Sequence, residues 1–213
     1  MIGLLAIEAI HRGDLHLALC WLFAAYVVDA VDGSMARAAR VKEVLPMIDG
    51  RMLDYIIDFL NIVFIPAYFL AVADLLPPPL AFGAAALVLF VSCYHYANAN
   101  ALTEDFHFLG FPAMWSIVVF YLFFLGLPPA WNALVVLVVA VLHLVPVKFV
   151  YPTRTMRSRP LTLSFVAIWV LANAGILYVY PTPAPWLMTV SLAVMAYLGA
   201  LSVVATLARP AAT

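Results

Sequence analysis

Apolar residues run through this chain in long, nearly unbroken stretches, with neither the alternation of a half-buried strand nor the one-sided stripe of a soluble helix. A helix needs about 20 mostly apolar residues to cross a bilayer, and seven stretches approach that length: roughly 15–33, 52–74, 79–99, 112–127, 131–149, 161–180 and 185–207. Met1–Ile10 is apolar but too short to span, and no small-residue cleavage site follows it. It reads as the tail of a further helix rather than a signal peptide. The expected fold is an all-α polytopic bundle. It has about seven complete transmembrane helices plus an N-terminal remnant of another, built as one integral membrane domain over 1–213.

Composition strengthens this picture. Hydrophobic residues make up 67% of the chain and charged ones 10%, and the mean hydropathy is +1.09, outside the soluble globular range. The net charge of −1 hides an uneven distribution. Arg37, Arg40, Lys42 and Arg51 lie between the first two complete spans, Lys148, Arg154, Arg157 and Arg159 between the fifth and sixth, and Arg209 after the last. Only Arg12 falls on the opposite side, so the positive-inside rule puts the other nine of the ten basic residues in the cytoplasm. The opposite loops are short and proline-rich, with Trp131 and Trp186 beside them where an aromatic belt is expected. Cys20 and Cys93 stand apart in apolar runs, without metal-ligand or disulfide spacing. No nucleic-acid partner is expected.

Four aspartates break the lipid-like pattern: Asp29 and Asp32, spaced i,i+3, and Asp54 and Asp58, spaced i,i+4. Each pair shares one face of its helix, and both lie near the cytoplasmic ends of adjacent spans. Carboxylates in or near hydrocarbon cost several kcal/mol each by most estimates and repel one another. Hard divalent cations with oxygen ligands are the natural counterions, so a shared metal site is expected just below the cytoplasmic headgroups.

The residues around these aspartates read Asp29-Ala-Val-Asp32-Gly33-Ser-Met-Ala36-Arg37, then twelve residues, then Gly50-Arg-Met-Leu-Asp54-Tyr-Ile-Ile-Asp58. This closely resembles the signature of the CDP-alcohol phosphotransferases, with every fixed position present. The long spacer resembles that of the bacterial phosphatidylcholine synthases. So do the words Arg40-Val-Lys-Glu-Val-Leu-Pro46, Gly110-Phe-Pro-Ala-Met-Trp115 and Lys148-Phe-Val-Tyr-Pro-Thr-Arg154. The resemblance covers about residues 15–160. It implies transfer of a phosphatidyl group from CDP-diacylglycerol to choline with release of CMP, requiring Mn²⁺ or Mg²⁺, in a bacterial inner membrane with the active site facing the cytoplasm.

Position by position, the resemblance implies that Asp29, Asp32, Asp54 and Asp58 hold two metal ions, with Asp58 also the base for the alcohol. Gly33 and Ala36 would line a cytidine pocket, Gly50 would admit the nucleotide close to the backbone, and Arg37 would hold the pyrophosphate. An arginine fork suits phosphate in a way lysine does not reproduce. Relatives in the wider family are often dimers, so a homodimer is a further expectation. Two positions depart from the phosphatidylcholine synthases: Tyr55 stands where asparagine is expected, and Ser116 follows Trp115 where Trp-Asn is more usual.

Other polar residues admit two readings each. Lys42 and Arg51 belong either to a solvated loop or to a site for the donor's anionic headgroup. Lys148 and Arg154 mark either topology alone or a lipid-phosphate pocket. Tyr94 and Tyr96, with Glu104, Asp105 and Trp115, are either interfacial aromatics with polar neighbours or a choline site, because aromatic faces and nearby carboxylates bind quaternary ammonium. Serine, inositol or glycerol phosphate remain alternative acceptors. A cation transporter is a further alternative, although the stretches 112–127, 161–180 and 185–207 carry no Asp, Glu, Lys, Arg or His along a path.

Overall fold

Runs of Leu, Val, Ile, Ala and Phe without interior strand breaks favour helix wherever backbone groups must be satisfied locally. The computed structural model, which describes residues 1–152, 159–182 and 184–208 but not the side chains of Ser34 and Lys42, is accordingly helical almost throughout. Five helices are long and apolar enough to cross a membrane: Leu15–Ala38, Gly50–Val72, Pro78–Ala97, Arg159–Tyr178 and Pro185–Leu207. The chain is a multi-pass membrane protein. Large apolar side chains such as Phe82, Phe90 and Leu171 face outward along these helices, as they would toward lipid.

Two expected spans are shorter than the sequence suggests. The stretch 112–127 contains α7 (Trp115–Leu125), eleven residues, or about 17 Å at the usual rise. Pro112 precedes it, and Gly126 ends it in a left-handed conformation at φ 57°. The stretch 131–149 contains α8 (Pro129–Leu144), sixteen residues. Pro146 denies the helical conformation to Val145, and the chain leaves the helix there.

Two compact units make up the chain. The first contains Met1–Tyr96 and Ala113–Ala140. It holds α1 (Ile2–His11), α2 (Leu15–Ala38), the single turn α3 (Val41–Val44), α4 (Gly50–Asp58), α5 (Ile65–Val72), nearly all of α6 (Pro78–Ala97), α7 and most of α8. Asp14 starts α2 by accepting from the Leu17 amide at 2.9 Å, and Asp49 starts α4 by accepting from Arg51 and Met52, ordinary N-caps. The core is drawn from Ala18, Leu19, Leu22 and Ala25 on α2, Phe69 and Leu70 on α5, and Trp115, Val119 and Leu122 on α7, each set at helical spacing.

Between α4 and α5 the helix widens into a π-helical turn, Phe59–Phe64. The redirected backbone bonding is compensated in part by Asn61, whose Nδ2 donates to the Ile57 carbonyl at 3.0 Å. The Oδ1 of Asn61 lies where a Cβ on Gly3 would stand, so α1 approaches this turn only because residue 3 is glycine.

The second unit comprises the described residues of 97–112 and 141–213. A two-stranded antiparallel sheet, absent from the sequence-based expectation, pairs β1 (His107–Leu109) with β2 (Lys148–Val150). Ser202 and Thr206 on α10 (Pro185–Leu207) accept from the amides of Val150 and Lys148 at 3.3 and 2.9 Å, occupying donors that β1 does not use. The helix α9 (Arg159–Tyr178) runs antiparallel to α10, since Phe165 meets Tyr197 and Asn173 meets Ser191. Gly110 joins the sheet to the end of α8 at φ 85°, and a Cβ there would lie 2.6 Å from the His143 carbonyl oxygen. That turn needs glycine on both counts.

Candidate functional site

The helix α2 continues past the expected end of its span, to Ala38. Asp29, Asp32, Gly33, Ala36 and Arg37 therefore fall at i, i+3, i+4, i+7 and i+8 of one helix, a single stripe. Gly50, Asp54 and Asp58 fall at i, i+4 and i+8 of α4. One carboxylate oxygen from each of Asp29, Asp54 and Asp58 lies within 4.8 Å of the other two. Asp58 and Asp29 are within hydrogen-bond reach of each other. Asp32 stands outside this trio but within Coulombic reach of Asp54 and Asp58. The π-helical turn begins immediately after Asp58, a distortion frequent at functional sites.

The principal charges acting on Asp32, Asp54 and Asp58 are other carboxylates: Asp29 on all three, Asp32 on Asp54, and Asp32 and Asp54 on Asp58. Three or four carboxylates this close repel strongly unless a cation lies among them. Oxygens bound at about 2.1 Å to one octahedral Mg²⁺ sit about 3–4 Å apart, so the trio needs little closing to share an ion. All the donors are hard carboxylate oxygens, the set that Mg²⁺ and Mn²⁺ prefer. The residues present fit such a cation.

The neighbouring motif residues leave room. A Cβ on Gly50 would meet nothing within 4 Å, and one on Gly33 would meet only Arg37 Nη1, at 3.5 Å. Neither glycine is demanded by the packing of the protein on itself. The Arg37 guanidinium lies over Gly33, on the stripe that carries Asp29.

The remaining candidates separate. Lys148 and Asp105, expected at a lipid-phosphate site and a choline site, bind each other: Nζ donates to Oδ2 at 2.7 Å. Thr103 Oγ1 donates to the other oxygen of Asp105, and a ring nitrogen of His107 stands 3.3 Å away. These partners, the lysine foremost, hold the Asp105 carboxyl down to about 2. Glu104 is exposed in the same segment. Trp115 is corrected to a core residue: it is 0% exposed and its Nε1 donates to Ser92 Oγ at 2.9 Å, leaving no ring face for a ligand. Tyr94 is exposed, whereas Tyr96 meets Tyr55 and Phe59. Arg51 is exposed in the first turn of α4. The Lys42 side chain and Arg154 lie outside the described residues.

Phe59 was not singled out from the sequence, and Tyr55 was noted only as a departure from the expected asparagine. The available signal was their i,i+4 spacing, each one residue after a carboxylate of the motif.

No family model matches the chain. Curated proteins do. The phosphatidylcholine synthase of Pseudomonas aeruginosa is 36% identical over 197 residues, covering 92% of this chain and 83% of that protein. The phosphatidylcholine synthase of Legionella bozemanae is 40% identical over 154 residues, covering 72% and 71%. That of Agrobacterium fabrum is 40% identical over 164 residues, covering 76% and 68%. The chain belongs to the phosphatidylcholine synthase family. It is an enzyme, a transferase of phospholipid biosynthesis, and its similarity to the Pseudomonas aeruginosa synthase, over 92% of the chain, spans both helices that carry the aspartates.

Proposed function

We propose that the protein transfers the phosphatidyl group of CDP-diacylglycerol to choline, giving phosphatidylcholine and CMP, with two divalent ions, Mn²⁺ or Mg²⁺, held by Asp29, Asp32, Asp54 and Asp58. The observation that carries this is the convergence of three carboxylates from two helices, in a chain at least 36% identical to phosphatidylcholine synthases over most of its length. The ions, when bound, supply Lewis acidity that neutralises pyrophosphate oxygens and the departing CMP.

The residues of the chain do the rest. Gly50 and the Gly33–Ala36 stripe leave space in which a flat base can approach the helix backbone. Arg37, lying over Gly33, offers two parallel N–H donors to the pyrophosphate. Asp58 accepts the proton of the choline hydroxyl as its oxygen attacks the β-phosphorus and the bond to CMP breaks. No covalent enzyme intermediate is needed. Nine of the ten basic residues on one side of the spans support a site facing the cytoplasm. The bacterial relatives support a bacterial inner membrane.

The test uses membranes containing the protein, CDP-diacylglycerol and a panel of labelled alcohols, with Mn²⁺ or with EDTA. Label should enter phosphatidylcholine from choline and only with metal. Label entering lipid from serine, inositol or glycerol phosphate instead of choline would discard the acceptor, and turnover undiminished by EDTA would discard the metal role.

A further inference from the structure

Beside the carboxylates stand aromatic rings that the transfer chemistry above does not use. Tyr55 and Phe59 project one helical turn apart, each immediately following a carboxylate of the trio. Both rings meet Tyr96, in the last turn of α6, with centroids 5.7 and 5.8 Å away and planes inclined at 75° and 79°. The buried His95 ring stands at 89° to Tyr96, at 6.3 Å. Rings set nearly at right angles make the walls of a corner rather than a stack. Asp58, Asp29 and Asp54 all lie within Coulombic reach of the Tyr96 phenol.

A ring serving only the core is buried, as Trp115 is, whereas Tyr55 is 46% exposed and Phe59 and Tyr96 are only half-buried. The corner is open at the edge of an anionic cluster.

A quaternary ammonium carries no N–H and makes no conventional hydrogen bond. It is held by the negative faces of aromatic rings and by carboxylates a little farther off. We propose that Tyr55, Phe59 and Tyr96 seat the trimethylammonium group of the acceptor and so select choline over neutral alcohols. The hydroxyl of choline is two carbons from its nitrogen, so a cation seated in this corner presents its oxygen toward Asp58, next to Phe59 in the chain. The proposal rests on the choline reading above and assigns its specificity to residues outside the fixed positions of the motif, Tyr96 among them already a choline candidate from the sequence.

The experiment compares wild type with Tyr96→Leu, Tyr55→Leu and Tyr96→Phe in the labelled-choline assay. Tetramethylammonium serves as a non-reacting probe, and 3,3-dimethylbutan-1-ol as the uncharged isostere of choline. Loss of one cation–π wall should raise KM for choline about ten-fold in each leucine variant. KM for CDP-diacylglycerol should stay within about two-fold and Tyr96→Phe should keep choline KM near wild type. The inhibition constant of tetramethylammonium should rise in parallel, and the preference for choline over its isostere should shrink. Because Tyr55 is already nearly half exposed, Tyr55→Leu remains informative if Tyr96→Leu does not fold. An active wild type whose leucine variants keep their choline KM overturns the aromatic seat alone. A wild type that makes no phosphatidylcholine from choline overturns the acceptor reading itself. Weaker inhibition by added phosphatidylcholine with choline KM unchanged assigns the corner to the product headgroup and overturns the acceptor seat.

Discussion

Asp105, in the second unit, lies against a lysine ammonium at 2.7 Å, a threonine hydroxyl and a histidine ring, whereas Asp58, in the first, has other carboxylates as its strongest charged neighbours. Asp105 closes the segment before β1 onto β2 and is complete as it stands. Asp14 and Asp49 are likewise complete, as helix N-caps. The trio Asp29, Asp54 and Asp58 is built from the same residue type without a matching cation among its principal electrostatic partners. Acids that stabilise the fold come with neutralising partners, and the principal neighbours of Asp54 and Asp58 are carboxylates. Seen this way, Lys148 and Asp105, plausible in sequence as binding residues, belong to the frame.

Substitutions on the two sides of this contrast should diverge in size and kind. Asp58→Asn removes the proposed base and a metal ligand together and should lower turnover by about 10³-fold or more, measured as label entering phosphatidylcholine. Relief of repulsion should leave the melting temperature of the metal-free protein unchanged or raised. Arg37→Lys keeps the charge but loses the fork, and kcat/KM for CDP-diacylglycerol should fall about ten- to a hundred-fold. Gly50→Ala separates fold from function most sharply. No protein atom meets the new Cβ, so stability should hold or rise by about 0.4–1 kcal/mol. A raised KM for the nucleotide lipid would then report the ligand's own approach, and an unchanged KM would remove Gly50 from the site.

The smallest effect belongs to the other side. Asp105→Asn should cost about 1 kcal/mol or less, because the pair is partly exposed, and should leave KM values near wild type. The Asp105 carboxyl is depressed to about 2, below its unfolded value of about 3.9. Its contribution is therefore fully present above about pH 4 and is lost as pH falls toward 2. The stability difference between wild type and Asp105→Asn should accordingly vanish in thermal melts below about pH 2.

The sequence carried the membrane class and the stripe from Asp29 to Arg37 plainly, because both depend on local period alone. α10 begins and ends where its apolar run does, at Pro185 and Leu207. The shortness of α7 was harder to see, since Phe, Leu and Val continue to its end and only the left-handed Gly126 stops it. The sheet was hidden for a different reason: Leu109 and Lys148 pair across a separation of 39 positions, with no turn between them to announce a hairpin. The π-helical turn left one mark, the lone Asn61 in an apolar run. Which helix Tyr55 and Phe59 would meet is tertiary information that their own spacing does not hold.

Divalent-ion binding tests most directly the claim that the clustered carboxylates form a metal site. Mn²⁺ titrated into the purified protein, followed by the loss of free-ion paramagnetic resonance signal, should show saturable binding. That binding should be strongly weakened by Asp54→Asn or Asp58→Asn and untouched by Asp105→Asn. Equal binding in all four proteins, or none in the wild type, would contradict the account.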